Sequence, residues 1–138
     1  MSTPHKNKTF ATFLAVILGG VGAHRFYLRG ALDKLGLVHL AALPVAGLVS
    51  GLAPEADWFY KALPLLVSTV VGFLEALVLG VMADEKFDAT YNPHSGKQSQ
   101  SRWYLVLLLV ITMLLGMTLM IFTMVRLVDL LYTGGAYG

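Results

Sequence analysis

Residues 103–125 form 23 consecutive positions without a charge. At about 1.5 Å per residue, a helix of that length crosses a hydrocarbon layer of about 30 Å. A chain of 138 residues has too little protein elsewhere to cover such a helix in water. In lipid the backbone must satisfy its own hydrogen bonds, which leaves helices as the spanning element for a run of this kind. Three further apolar segments lie at 9–23, 35–52 and 63–82. The chain is 57% hydrophobic and 13% charged, so this pattern is general and not local to one end. The fold class that follows is an all-α integral membrane protein, with about four transmembrane helices in a small bundle. Pro44 inside the second segment predicts a kink, because neighbouring groups in a membrane bundle can satisfy the freed carbonyl.

The remaining composition narrows function by exclusion. A net charge of +2, with the basic residues set beside apolar runs, argues against a nucleic-acid partner and for lipid headgroups. The absence of cysteine removes disulfides, thiolate metal sites and thiol nucleophiles. Asp84-Glu85-Lys86-Phe87-Asp88 and the later His94 offer oxygen and nitrogen ligands, but at spacings that match no strong metal motif. No cofactor, metal or catalytic set is predicted, and the chain reads as a non-enzyme.

One segment is far more specific than the rest: Gly19-Gly20-Val21-Gly22-Ala23-His24-Arg25-Phe26-Tyr27-Leu28-Arg29-Gly30. Its glycines end or bend the first apolar helix, and cationic and aromatic side chains follow at once. Such residues suit the place where a chain leaves hydrocarbon and meets headgroups. With no strand before it, the glycine pair is not a phosphate-binding loop. The pattern Gly19, Gly22, His24, Arg25, Phe26, Tyr27, Gly30 resembles the signature of the TM-two domain family, membrane proteins built on two helices joined by a short motif-bearing turn. The resemblance is close from Lys8 to about Val38. It implies a cytoplasmic turn and an acidic residue, usually Asp, on the second helix. Here that role falls to Glu75, which differs in type and follows extra apolar sequence. The implied division is 1–82 as a TM-two-like domain with an extended central insertion, 83–102 as a polar loop, and 103–138 as an added helix and tail. A basic start and small residues near Gly22-Ala23 also fit a cleavable leader. Cleavage there would divide the motif, so a retained first span is preferred.

Small and polar residues mark helix-packing faces in lipid, where hiding leucine from leucine gains nothing. Such stripes run through Thr12, Ala15, Gly19 and Gly22; through Gly36, His39, Ala46, Gly47 and Ser50; through Ser68, Gly72, Glu75, Ala76 and Gly80; and through Thr112, Gly116, Thr123 and Arg126. Glu75 is the costliest residue, at about 2.5–3.5 kcal/mol for an unpaired charge at mid-helix. His39 is its natural partner, with Arg25 and His24 as competitors. Arg126 and Asp129 read as an interfacial pair. With four spans, Arg25, Arg29, Lys34, Lys86, Lys97 and Arg102 share one side, and Lys6, Lys8, Lys61 and Arg126 the other. The expectation is a structural, assembly or interaction component of a bacterial inner membrane. Its partners are the bilayer and a second copy or another membrane protein. The alternative is a small channel or transporter subunit using Glu75 and His39.

Overall fold

A computed structural model describes residues 3–138. Among these residues the order is α1 (Lys8–Leu18), a single 3-10 turn (Gly19–Val21), α2 (Ala23–Arg29), α3 (Lys34–Leu52), α4 (Trp58–Val81), α5 (Asp84–Tyr91) and α6 (Trp103–Thr133), with no strand. Three helices, α3, α4 and α6, are long and apolar enough to cross a membrane. The expected all-helical membrane bundle is therefore present, with one correction to its first member.

That correction concerns the segment at 9–23. α1 has only 11 residues, about 16 Å at the helical rise, and it does not traverse the bundle. Its start lies where α4 ends: the Lys8 ammonium donates to the Met82 carbonyl and to Asp84 at 2.9 Å. Its end meets the middle of α4, where a Cβ built on Gly19 would stand 2.8 Å from the Gly72 Cα. From Met82 back to Gly72 is ten residues, about 15 Å along the axis. The chain then turns at Gly22, in the left-handed conformation at φ 76°, and α2 climbs back the way α1 came. The Leu28 carbonyl accepts from the Lys6 ammonium, and the Arg29 guanidinium lies 5.5 Å from the Tyr91 ring centre. α1 and α2 form a helical hairpin whose glycine side packs on α4.

These three long apolar helices run alternately. α3 descends from the hairpin side, α4 returns beside it, and α6 descends again with Leu109 against Gly80 and Arg126 bonded to Asp57 at 3.0 Å. The core sits where α1, α4 and α5 meet, around Ala11, Ala15, Phe73, Ala76 and Phe87. Leucines and valines of α3, α4 and α6 face outward, as lipid allows. Pro44 is accommodated within a continuous α3, and Pro64 within α4.

The hairpin also relocates the N-terminus. Lys6 and Lys8 lie on the side of the 83–102 segment, not opposite it. Asn92 and Lys6 bond reciprocally, backbone N–H to side-chain oxygen at 2.7 Å and side-chain N–H to carbonyl at 3.0 Å, and His5 reaches Ser95 at 2.9 Å. Eight of the ten Lys and Arg residues now belong to this side and only Lys61 and Arg126 to the other. Single cysteines in this cysteine-free chain test the arrangement. Thr3→Cys and Gln98→Cys are expected to label from one face of the membrane and Glu55→Cys and Ala136→Cys from the other. Opposite accessibility of positions 3 and 98 would require α1 to cross.

Candidate functional site

The hairpin brings an ionisable cluster onto one carboxylate. Glu75 lies seven residues before Met82, about 10 Å below the end of α4, on the face shared by Ser68, Gly72 and Ala76. Its Oε1 accepts from Arg25 at 2.5 Å, and its Oε2 faces His24 Nε2 at 2.5 Å and His39 Nε2 at 3.3 Å. All three partners anticipated for Glu75 are thus engaged together. The Arg25 guanidinium is only 15% exposed. The turn sits inside the bundle, and Arg25 is consumed by two acids: its Nε donates to Asp33 at 2.7 Å. A planar guanidinium with donors on two edges is the side chain suited to that bridge.

Asp33 is the participant that reading the sequence missed. It caps α3, accepting the Gly36 N–H at 2.7 Å, and the Asp-Lys-Leu-Gly run before an apolar segment carries the signal of an N-cap. Its hydrogen bond from Arg25 holds the carboxyl below its ordinary range despite the opposing effect of burial, and the Gly36 bond adds to it.

Each motif residue has a place around this cluster. Gly19 abuts the Gly72 backbone and Gly20 the Thr69 side chain. Gly22 needs its positive φ, and a Cβ there would stand 2.8 Å from the Gly36 carbonyl oxygen. Phe26 covers Gly36, where a Cβ would stand 2.8 Å from its ring. The Tyr27 hydroxyl accepts the Asn7 N–H at 2.8 Å, and its ring meets Phe10 edge-on at 5.2 Å. Gly30 ends α2 at φ 92° with open space around it. His39 Nδ1 is 2.7 Å from the Ser68 hydroxyl, which donates to the Gly20 carbonyl at 2.7 Å. His24 is almost wholly buried, and its Nδ1 has no partner.

The other polar residues form two separate fastenings. At the far end Arg126 bonds Asp129 at 2.6 Å and Asp57 at 3.0 Å, so the pair expected on one helix face also ties α6 to the cap of α4. On the hairpin side Asp84 accepts from Lys8 and from the Ser101 hydroxyl at 2.5 Å, and Asp88 from the Ser99 hydroxyl at 2.6 Å and from Asn92. Burial opposes ionisation of Asp84, but the bonds from Ser101 and Lys8 outweigh it and hold its carboxyl below the usual range. Asp88 follows the same balance, with Ser99 and Asn92 as its donors. A lowered folded value stabilises above the unfolded value of 3.8 and is lost as pH falls through the folded one. Detachment of the 83–102 segment from the N-terminus, read by proteolysis, is therefore expected below pH 3.8 and not at pH 5.

Comparison with known proteins finds the TM2 domain family matching residues 4–52. No curated protein and no solved structure matches the chain. The matched segment ends with α3, so it contains His24, Arg25, Asp33 and His39, whereas Glu75 lies beyond it on α4.

Proposed function

We propose, from the match of residues 4–52 to the TM2 domain family, that this membrane protein is a non-enzymatic scaffold, in which a re-entrant TM2 hairpin is neutralised by α4 and α3 is offered to another membrane helix. The observation that carries the reading is the saturation of Glu75: both oxygens are taken by groups of the same chain, two of them also held by Asp33 and Ser68. A carboxylate placed to conduct ions would keep an open coordination position. Below it the Gly19–Gly72 contact closes the packing against the hairpin, the void that descends between α3 and α4 has apolar walls of Val45, Pro64, Val67 and Val71, and the lower halves of α3 and α4 bring no further charge until Asp57 and Lys61.

Gly47 and Gly51 of α3 support the interaction role. Both are exposed, with nothing within 4 Å of an added Cβ. Glycines four apart on one face let a second helix approach closely. The excess of basic residues on the hairpin side supports a cytoplasmic N-terminus and a cytoplasmic 83–102 segment, as in an inner membrane.

Two measurements test the proposal. Single cysteines at Gly47 and Gly51 are expected to cross-link to a neighbouring chain in native membranes, and Val78→Cys, exposed on α4, is not. Proton flux into proteoliposomes is expected to equal that of empty liposomes. A flux that Glu75→Gln abolishes would replace the scaffold with the alternative, a channel or transporter subunit using Glu75 and His39.

A further inference from the structure

The hydrogen-bond directions around Ser68 fix a proton that the residue names alone leave undetermined. The Gly20 carbonyl can only accept, so the single Ser68 hydroxyl hydrogen points to it across 2.7 Å. Towards His39, 2.7 Å away, the Ser68 oxygen must therefore accept, and His39 Nδ1 must carry a hydrogen. A neutral imidazole protonated at Nδ1 has a bare lone pair at Nε2. Here Nε2 faces Glu75 Oε2 at 3.3 Å, and an ionised carboxylate would meet it lone pair to lone pair.

Charge leads to the same place by a separate route. Among the directly ion-paired groups Arg25 contributes one positive charge and Asp33 and Glu75 two negative ones, a balance of −1, with Arg29 nearby but bonded to neither acid. His24 serves an ionised Glu75 through an Nε2–H, and its buried Nδ1 has no partner. A net charge inside a membrane bundle is costly, and one more proton removes it.

We propose that His39 and Glu75 together form a proton-binding site, holding one proton between His39 Nε2 and Glu75 Oε2 at neutral pH. The proton resides on His39 as imidazolium or on Glu75 as carboxylic acid; both arrangements complete the hydrogen bond and bring the cluster to zero charge. His24 and Arg25 of α2, with Arg29 across the adjoining void, Asp33 of the α2–α3 connection and Ser68 of α4 are the groups that face the pair. From α1 and α6 no charged group reaches it, since Lys8 and the Arg126–Asp129 pair are engaged at the two ends of the bundle. A void of about 140 Å³, lined by Arg25, Arg29, Glu75, Met82 and Tyr91, adjoins the carboxylate on the hairpin side. A second void of about 560 Å³ between α3 and α4 also reaches His39 and Glu75, but Val38, Ala42, Val45, Pro64 and Val71 make its walls apolar, so proton exchange is assigned to the polar void on the hairpin side. The site is thus a proton well at the joint between the hairpin and α4, served from its polar side.

The test uses the full chain in lipid nanodiscs, with nitrogen-15 in histidine and carbon-13 in the glutamate carboxyls, at pH 7.5. His39 is expected to show a protonated Nδ1, together with either a protonated Nε2 and an ionised Glu75 or a bare Nε2 and a carboxylic acid band from Glu75. In Glu75→Gln the extra proton is lost, and His39 is expected to be neutral with hydrogen on Nδ1 alone. His39 singly protonated beside an ionised Glu75 in the unmodified chain overturns the site. Hydrogen on Nε2 alone overturns the Ser68 relay beneath it. Both adverse results are read on the unmodified protein, so they stand even where a variant fails to fold.

Discussion

Gly19→Val is expected to abolish folded protein, and Gly47→Val to leave it intact. Both glycines stand on small-residue stripes, and the surroundings separate them. A Cβ at Gly19 would lie 2.8 Å from the Gly72 Cα, and one at Gly72 would lie 2.7 Å from the Gly19 backbone, whereas Gly47 has nothing within 4 Å. Backbone cannot rotate away as a side chain can, so the two helices must separate. Separation would pull His24 and Arg25 from Glu75, and overpacking alone typically costs about 1–3 kcal/mol. The measurements are the yield of monodisperse protein after detergent extraction and the thermal midpoint. A Gly19→Val protein that extracts and melts like the parent would mean that the hairpin does not lodge against α4.

The same pair of glycines shows where sequence reading succeeds and where it stops. Small residues at helical spacing correctly mark Thr12, Ala15 and Gly19 as the buried face of α1 and Ser68, Gly72 and Ala76 as that of α4. Spacing alone does not reveal how far a helix penetrates. The run at 9–23 supplies the apolar face that packs on α4, and apolarity is equally suited to crossing. What reverses it is a left-handed Gly22 fitted against the Gly36 carbonyl, a contact between residues on different elements. The same turn brings Lys6 and Lys8 beside the 83–102 segment, which a crossing first helix would have placed opposite. On α3 the stripe is real only in its upper part: Gly36 and His39 are buried, while Gly47 and Ser50 lie open. Glu75, by contrast, was legible through cost. An acid inside a span needs partners, and the chain offers few at the right height. Asp33 was not legible as a site residue because its capping role already accounts for it, and only the hairpin brings Arg25 within reach.

The second large effect is expected from Arg25, because one guanidinium serves two acids. Arg25→Ala leaves Glu75 Oε1 and Asp33 Oδ2 without their donor in a site where Arg25 is largely shielded from solvent. Breaking a buried pair from one side typically costs about 3–5 kcal/mol, since the surviving charge stays behind. Arg25→Lys is expected to fall between, as a single ammonium lacks the two edges that reach Asp33 and Glu75 together. Glu75→Gln made in the Arg25→Ala background removes one orphaned charge and is expected to recover part of the loss. The coupling in that cycle is anticipated within about 0.5–3 kcal/mol, the range for residues in one network. Unfolding in mixed micelles gives the four stabilities, and the Asp33→Asn cycle against Arg25 resolves the other half of the bridge. Additive losses in both cycles would show that Arg25 stabilises the hairpin by packing, with the two acids as bystanders. Coupling to Asp33 alone would place Arg25 in the cap of α3 and leave Glu75 to the histidines.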